Sequence, residues 1–123
     1  MILNLTQHKA TPEQAIAGVV DLPDDQQATL HELLTFEVLP TPAELHQRAV
    51  AIAAIARANR SSNTKFAMIG GAPYLMPYLE STLRYTGLRP VYAFSRRISR
   101  EETLPDGSVK KIATFRHEGF VGT

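Results

Sequence analysis

The chain contains no cysteine and no tryptophan among its 123 residues. Without thiols it can form neither a disulfide framework nor a cysteine-ligated zinc site, and that usage suits the reducing cytoplasm. Long apolar runs are missing too. The most apolar helix-like stretch, around Ala49 to Ala58, is interrupted by Arg48 and Arg57 and is too short to span a bilayer, so no membrane role is expected. The opening Met1-Ile2-Leu3-Asn4-Leu5-Thr6 lacks the basic region and long apolar core of a signal peptide and reads as a first strand. Gly70-Gly71 lacks the third glycine of the dinucleotide fingerprint and the Gly-Lys-Ser/Thr of a P-loop, which argues against a nicotinamide enzyme or an NTPase. No helix carries a basic face, so double-stranded DNA is not an expected partner. The four histidines have no compact ligand spacing; no metal site and no cofactor are expected.

What is present suits one soluble α/β domain: 44% of residues are hydrophobic and 20% charged. The formal net charge of +1 conceals an asymmetry. Residues 1–57 hold three basic and seven acidic side chains, whereas residues 58–123 hold ten basic and five acidic ones. An anionic ligand is therefore sought in the second half, against the plainer reading of an ordinary solvated surface.

Punctuation places the elements. Thr11-Pro12-Glu13-Gln14 has a threonine N-cap, a first-turn proline and a glutamine three residues on, so a short helix begins near Pro12 and stops before Gly18. Val19-Val20-Asp21-Leu22 reads as a second strand, and Pro23-Asp24-Asp25 opens a helix with the stripe Leu30, Leu33, Leu34. A second box, Thr41-Pro42-Ala43-Glu44, opens the longest helix, which ends near Asn59. Phe66-Ala67-Met68-Ile69 is an apolar strand broken at Gly70-Gly71. A helix then restarts at Pro73, with Pro77 distorting it and Gly87 capping it, before a further strand at Val91-Tyr92-Ala93-Phe94. Ile98 to Leu104 and Val109 to Phe115 flank the turn Pro105-Asp106-Gly107-Ser108 as a hairpin, with Glu101 and Glu102 facing Lys110 and Lys111. The fold expected is a Rossmann-like, mainly parallel sheet covered by helices, residues 1–97, with a C-terminal antiparallel hairpin extension and tail, residues 98–123.

In an open parallel sheet, ligands bind beyond the carboxyl ends of the strands. Thr6-Gln7-His8, Gly70-Gly71, Ser95-Arg96-Arg97 and Asp21 are the candidates for that edge. Gly70 and Gly71 let a phosphate approach the backbone, with N–H groups of the following helix start aimed at it; the competing reading is a tight turn. Arg96 and Arg97 clamp phosphate, although strand alternation sends them to opposite faces. His8 is the candidate for proton transfer, against a role as a loop-fixing hydrogen-bonding residue. His117 follows an edge strand, and His31 and His46 read as helix-surface residues. Tyr74 and Tyr78 are candidates to stack on a base, against plain packing.

Leu3-Asn4-Leu5-Thr6-Gln7-His8 followed by Thr11-Pro12-Glu13-Gln14, with the later strand, Gly-Gly turn and strand ending in serine and arginine, resembles the small CRISPR-associated ring nucleases and related CARF-like Rossmann-fold proteins. The resemblance implies a role in antiviral defence: a homodimer that holds a cyclic oligoadenylate across its two-fold axis and sequesters or cleaves it without metal. It implies Thr6, Gln7, Gly70, Gly71, Tyr74, Ser95 and Arg97 as ligand-binding residues, with His8 shuttling a proton and Arg96 stabilising charge on the phosphorane. The alternatives are a non-catalytic sponge or sensor for the same nucleotide, and a small phage- or mobile-element-type protein-interaction module.

Overall fold

A computed structural model describes residues 1–123. In chain order the elements are β1 (Ile2–Leu5), α1 (Pro12–Ile16), β2 (Val19–Val20), α2 (Asp24–Leu34), α3 (Pro42–Asn59), β3 (Phe66–Ile69), α4 (Met76–Tyr85), β4 (Arg89–Thr103) and β5 (Val109–Gly122). The capping chemistry sets the helix starts. Thr11 accepts from the Gln14 N–H at 3.2 Å while the Gln14 side chain accepts from the Thr11 N–H at 3.1 Å, closing the box at α1. At α3 only half of the box forms. Thr41 accepts from the Glu44 N–H at 3.1 Å, but the Glu44 carboxylate turns to Arg48 at 3.0 Å, an i,i+4 pair.

The sheet order is β2-β1-β3-β4-β5; the first four strands run parallel and β5 pairs antiparallel with β4. Right-handed crossovers put a step leftward from β1 and a step rightward from β3 on opposite faces of the sheet. The core shows the result. On one face Leu3, Leu5, Ala67 and Ile69 pack with Leu30, Leu34, Ile52, Ala56, Leu79 and Leu83 of α2, α3 and α4 in a single buried cluster. The many alanines of α3 let its backbone lie close to the sheet, and truncating a large member such as Ile52 or Leu79 costs about 2–5 kcal/mol. The other face is thinly covered. Val19, Met68 and Val91 form a small cluster edged by Ile2, Ala10, Phe66 and Phe120, and the five-residue α1 buries none of its side chains.

Two elements differ from the sequence expectation. The helix after the Gly-Gly turn starts at Met76 rather than Pro73, because Ala72 to Leu75 form turns of their own, closed by Leu75 N–H to Ala72 at 3.0 Å and Met76 N–H to Pro73 at 3.3 Å. Pro77 therefore lies inside the first helical turn, where its missing N–H is not needed, and it starts the helix instead of distorting it. The second difference concerns the hairpin. Val91–Phe94 and the first arm are one continuous strand, β4, and the tail Arg116–Phe120 is strand as well, pairing back onto Ala93 to Arg96 with Gly119 opposite Phe94. The hairpin is thus rooted in the sheet. Nine of its residue pairs, Ser95↔His117 to Thr103↔Val109, form a two-stranded arm. At the rise of an extended chain it is roughly 30 Å long. Glu101 pairs with Lys111 and Glu102 with Lys110, as the charge pattern predicts.

Candidate functional site

Strand order reverses between β1 and β3: the chain steps from β1 to β2 on one side, then returns to β3 on the other. In sheets of this order the crevice at the reversal is where ligands are received. Leu5 is in register with Ile69, so Thr6 and Gly70 leave the sheet side by side. A Cβ added to Gly70 would meet Thr6 Cγ2 at 3.7 Å, which puts the two loops in contact across the crevice.

Asn4 organises the β1 side. Its side chain is buried on the thinly covered face, and its four polar positions are all used. Oδ1 accepts from the Thr6 N–H at 2.9 Å and the Thr6 hydroxyl at 2.7 Å, while Nδ2 donates to the His8 carbonyl at 2.8 Å and to Asp21 Oδ1 at 2.7 Å. Asp21 Oδ1 also accepts from the Ala10 N–H at 2.9 Å, and the Thr6 hydroxyl reaches the His8 carbonyl at 3.1 Å. This network ties down the loop of residues 6–10, with the His8 carbonyl held by both Asn4 and Thr6. The N–H groups of Gln7 and His8 have no acceptor within the chain. His8 itself is exposed and its imidazole makes no hydrogen bond, so the structure fixes its backbone and leaves its ring free.

On the β3 side Gly71 has φ +144, a conformation that L side chains rarely adopt, and its backbone lies close to Met76 and Leu34. The late start of α4 changes how an anion would be held. The first-turn N–H groups of Leu75 and Met76 are already bonded to turn carbonyls, and Pro77 has none. No acceptor within the chain meets the N–H groups of Gly70, Gly71, Ala72 and Tyr74, nor that of Tyr78 in the first turn of α4. A concave run of successive amides serves as an anion cradle in its own right.

Ser95, Arg96 and Arg97 lie on the arm rather than at a strand end. Continuing the β3–β4 register from Met68↔Val91 sets Gly70 level with Ala93, so Arg96 stands three residues, or roughly 10 Å, beyond the rim. Arg96 Nε is paired with Glu118 Oε1 at 3.1 Å. Arg97 emerges on the opposite side, across from Phe115, with no carboxylate partner. Ser95 pairs with His117, whose ring stacks edge-on against Phe120 at 4.9 Å and whose Nδ1 is buried without a hydrogen-bond partner. Tyr74 turns to the helices. It is half exposed and contacts Phe36 edge-on at 5.3 Å, and the Arg48 guanidinium covers the Phe36 ring at 4.2 Å.

Thr6 and Gly70 are therefore brought together at the carboxyl edge of the sheet, with Gln7, His8 and Gly71 following in the two loops; Ser95, Arg96 and Arg97 stand beyond that edge on the arm, and Tyr74 turns to the helices. Asn4 is a site residue that the sequence reading does not single out, and His117, expected to follow an edge strand, lies within β5. An asparagine inside an otherwise apolar strand was the signal for the first, since an unpaired amide is costly to bury. One further group is strongly perturbed: burial, then the bond from its hydroxyl to Glu80 at 2.7 Å, push the Tyr92 phenol well above its ordinary pKa. No group of three or more histidine, aspartate and glutamate side chains is gathered to hold a metal ion, and no helix is long and apolar enough to cross a membrane.

A family model described as the uncharacterized protein MJ1673 family matches residues 1–121, and the chain belongs to that family. No curated protein and no solved structure matches it.

Proposed function

We propose that this MJ1673-family chain binds a phosphate-bearing nucleotide, with a cyclic oligoadenylate as the foremost candidate, in the crevice between the β1 and β3 loops. The observation that carries the reading is the set of backbone N–H groups without acceptors, those of Gln7 and His8 on one side and Gly70, Gly71 and Ala72 on the other, at the reversal of strand order. Amide donors without acceptors at this edge favour an anion, and Arg97, which has no carboxylate partner, adds positive charge from the arm. The cyclic oligoadenylate and the homodimer follow from the resemblance of the Leu3–Gln14 segment to ring nucleases. A ring-shaped ligand on a two-fold axis would use two such crevices. The absence of cysteine suits a cytoplasmic protein.

Cleavage in such a site runs by attack of a ribose 2′-oxygen on the adjacent phosphorus. The 2′-O–P bond forms, the P–O5′ bond breaks, the 2′-hydroxyl proton passes to a base and the 5′-oxygen leaves with a proton. The protein's share is alignment and charge stabilisation. His8 is the base in this reading, and Arg96 serves the phosphorane once Glu118 releases it. The free ring of His8 and the Glu118 pairing of Arg96 favour a second reading, in which the same crevice retains the nucleotide without turnover.

Incubation of the purified protein with cyclic tri-, tetra- and hexa-adenylate, with chelator or with magnesium, followed by chromatography, separates these readings. Linear products formed in chelator support cleavage, and retention of intact rings supports the sponge. Neither retention nor turnover of any ring removes the nucleotide assignment and leaves a protein-interaction role.

A further inference from the structure

At the amino ends of β3 and β4, on the opposite edge of the sheet from the crevice, lies a second basic concavity of about 480 Å³. It is lined by Arg57, Arg60, Ser61, Ser62, Thr64 and Lys65, with Gly87 completing the wall and no hydrophobic side chain among them. We infer that this bowl is a binding site for a multiply charged phosphate anion, a pyrophosphate or triphosphate group.

Three features carry the inference. The first is charge. Arg57, Arg60 and Lys65 have no carboxylate within 4.0 Å, although each of the chain's four ion pairs has formed elsewhere. Three cations around one hollow repel one another, and an anion of matching charge relieves that repulsion. The second is preorganisation. Arg60 Nη1 donates to the Thr86 carbonyl at 2.5 Å, and Gly87, with φ +87, leaves its Cβ position only 3.5 Å from that nitrogen. One guanidinium donor is thereby anchored at the end of α4, and the rest of the planar fork keeps its remaining donors. Thr64, which is buried, accepts from the Ser61 N–H at 3.1 Å and meets the Ser61 hydroxyl at 3.2 Å, holding the loop closed and leaving the Ser62 hydroxyl without a partner.

The third feature is selectivity by omission. With no aromatic or apolar wall, the hollow offers nothing on which a base or sugar could pack, so recognition is confined to the charged oxygens. Its volume exceeds what a single phosphate fills, and three separate cations suit two or three linked phosphoryl groups. Both arginines lie beside helix C-termini, whose negative ends favour the cations themselves and offset part of their pull on an anion. Lys65 does not; it precedes β3 and accepts the Arg89 N–H at its carbonyl at 2.9 Å, which holds its backbone in place at the rim.

Calorimetric titration of the full chain with inorganic pyrophosphate, inorganic triphosphate and ATP tests the site, with amide NMR shifts recorded in parallel. The expected result is saturable binding of inorganic triphosphate that weakens with added salt, with shifts at Ser62, Lys65 and Gly87. The double variant Arg57→Ala/Lys65→Ala should bind about tenfold or more weakly, the loss of one or two charge-assisted contacts. Arg100→Ala, on the arm and outside both regions, should bind like the parent protein. Equal affinity for triphosphate and ATP identifies the phosphates alone as the recognised group, and tighter ATP binding with the same shifts assigns the source to a nucleotide. Absence of saturable binding by the parent protein overturns the site. So does unchanged affinity of the double variant, or a shift pattern centred on Gly70 and Gly71, and these last outcomes would assign the anion to the crevice instead.

Discussion

Asn4 and Asp21 are joined by a hydrogen bond of 2.7 Å from Asn4 Nδ2 to Asp21 Oδ1, across the β1–β2 neighbourhood and seventeen residues of chain. That bond and the three others made by the Asn4 amide define the loop carrying Gln7 and His8. Replacing Asn4 by leucine, which has the same number of side-chain heavy atoms but no polar ones, strands the Thr6 N–H and part of the Asp21 carboxylate. A loss of about 2–3 kcal/mol in denaturant unfolding is expected, since a buried partner left unsatisfied costs about 1–3 kcal/mol. Nucleotide retention should fall with it. A variant as stable as the parent would show that the network does not hold the loop.

The two glycines should separate under substitution. A Cβ on Gly70 meets only Thr6 Cγ2, at an ordinary 3.7 Å, so Gly70→Ala should leave stability within about 0.5 kcal/mol while reducing nucleotide affinity by crowding the crevice. Gly71→Ala forces an L side chain to φ +144 and should cost about 1–2 kcal/mol in thermal or denaturant unfolding. If alanine at the two positions had the same effect on both readouts, the division between a ligand glycine and a backbone glycine would be lost.

The Arg96–Glu118 pair gives a third test. Its side chains are 63% and 38% exposed, and an ion pair so placed contributes little stability, so Glu118→Gln should unfold like the parent protein. Freed of its carboxylate, Arg96 should strengthen nucleotide binding, and Arg96→Ala should weaken it. Equal affinities across the three proteins, measured by titration at low salt, would remove Arg96 from the site.

Tyr92 predicts the alkaline limb of stability. Its folded pKa is raised above the unfolded value of 10.0, so the folded state holds the phenolic proton more tightly. The associated stability is fully present below pH 10.0 and is lost as the pH climbs through the alkaline range towards the folded pKa. Melting curves from pH 8 to 11.5 should show the parent protein falling more steeply above pH 10.0 than Tyr92→Phe, which has no phenol to ionise. Parallel curves would contradict burial of the phenol, with its bond to Glu80, as the cause.

Much of the frame was legible in the residues. Thr11 and Thr41 marked two helix starts, Leu30 and Leu34 the buried stripe of α2, and the Glu101, Glu102, Lys110 and Lys111 pattern the hairpin register. What escaped depends on contacts distant in sequence. Ser95-Arg96-Arg97 looks like a strand terminus because no residue there is buried, yet cross-strand backbone bonding to β5 sustains the strand without burial. The start of α4 was misplaced because turn hydrogen bonds at Ala72 and Pro73 compete with helix nucleation, and only their geometry decides. Asn4 is a lone polar residue in the sequence. It becomes a hub only when β2 lies beside β1 and delivers Asp21.

The irregularity between Phe94 and Ser95 has a consequence for how this arm can change over time. Glu118 is the surplus residue there, and because of it His117 and Phe120, three apart, share a side that ordinary alternation would deny them. Deleting that single position would leave every cross-strand pair in place and make the alternation continuous, with His117 and Phe120 then two apart and still on one side. One codon lost at this joint would therefore straighten the root of the arm without re-facing any of its residues.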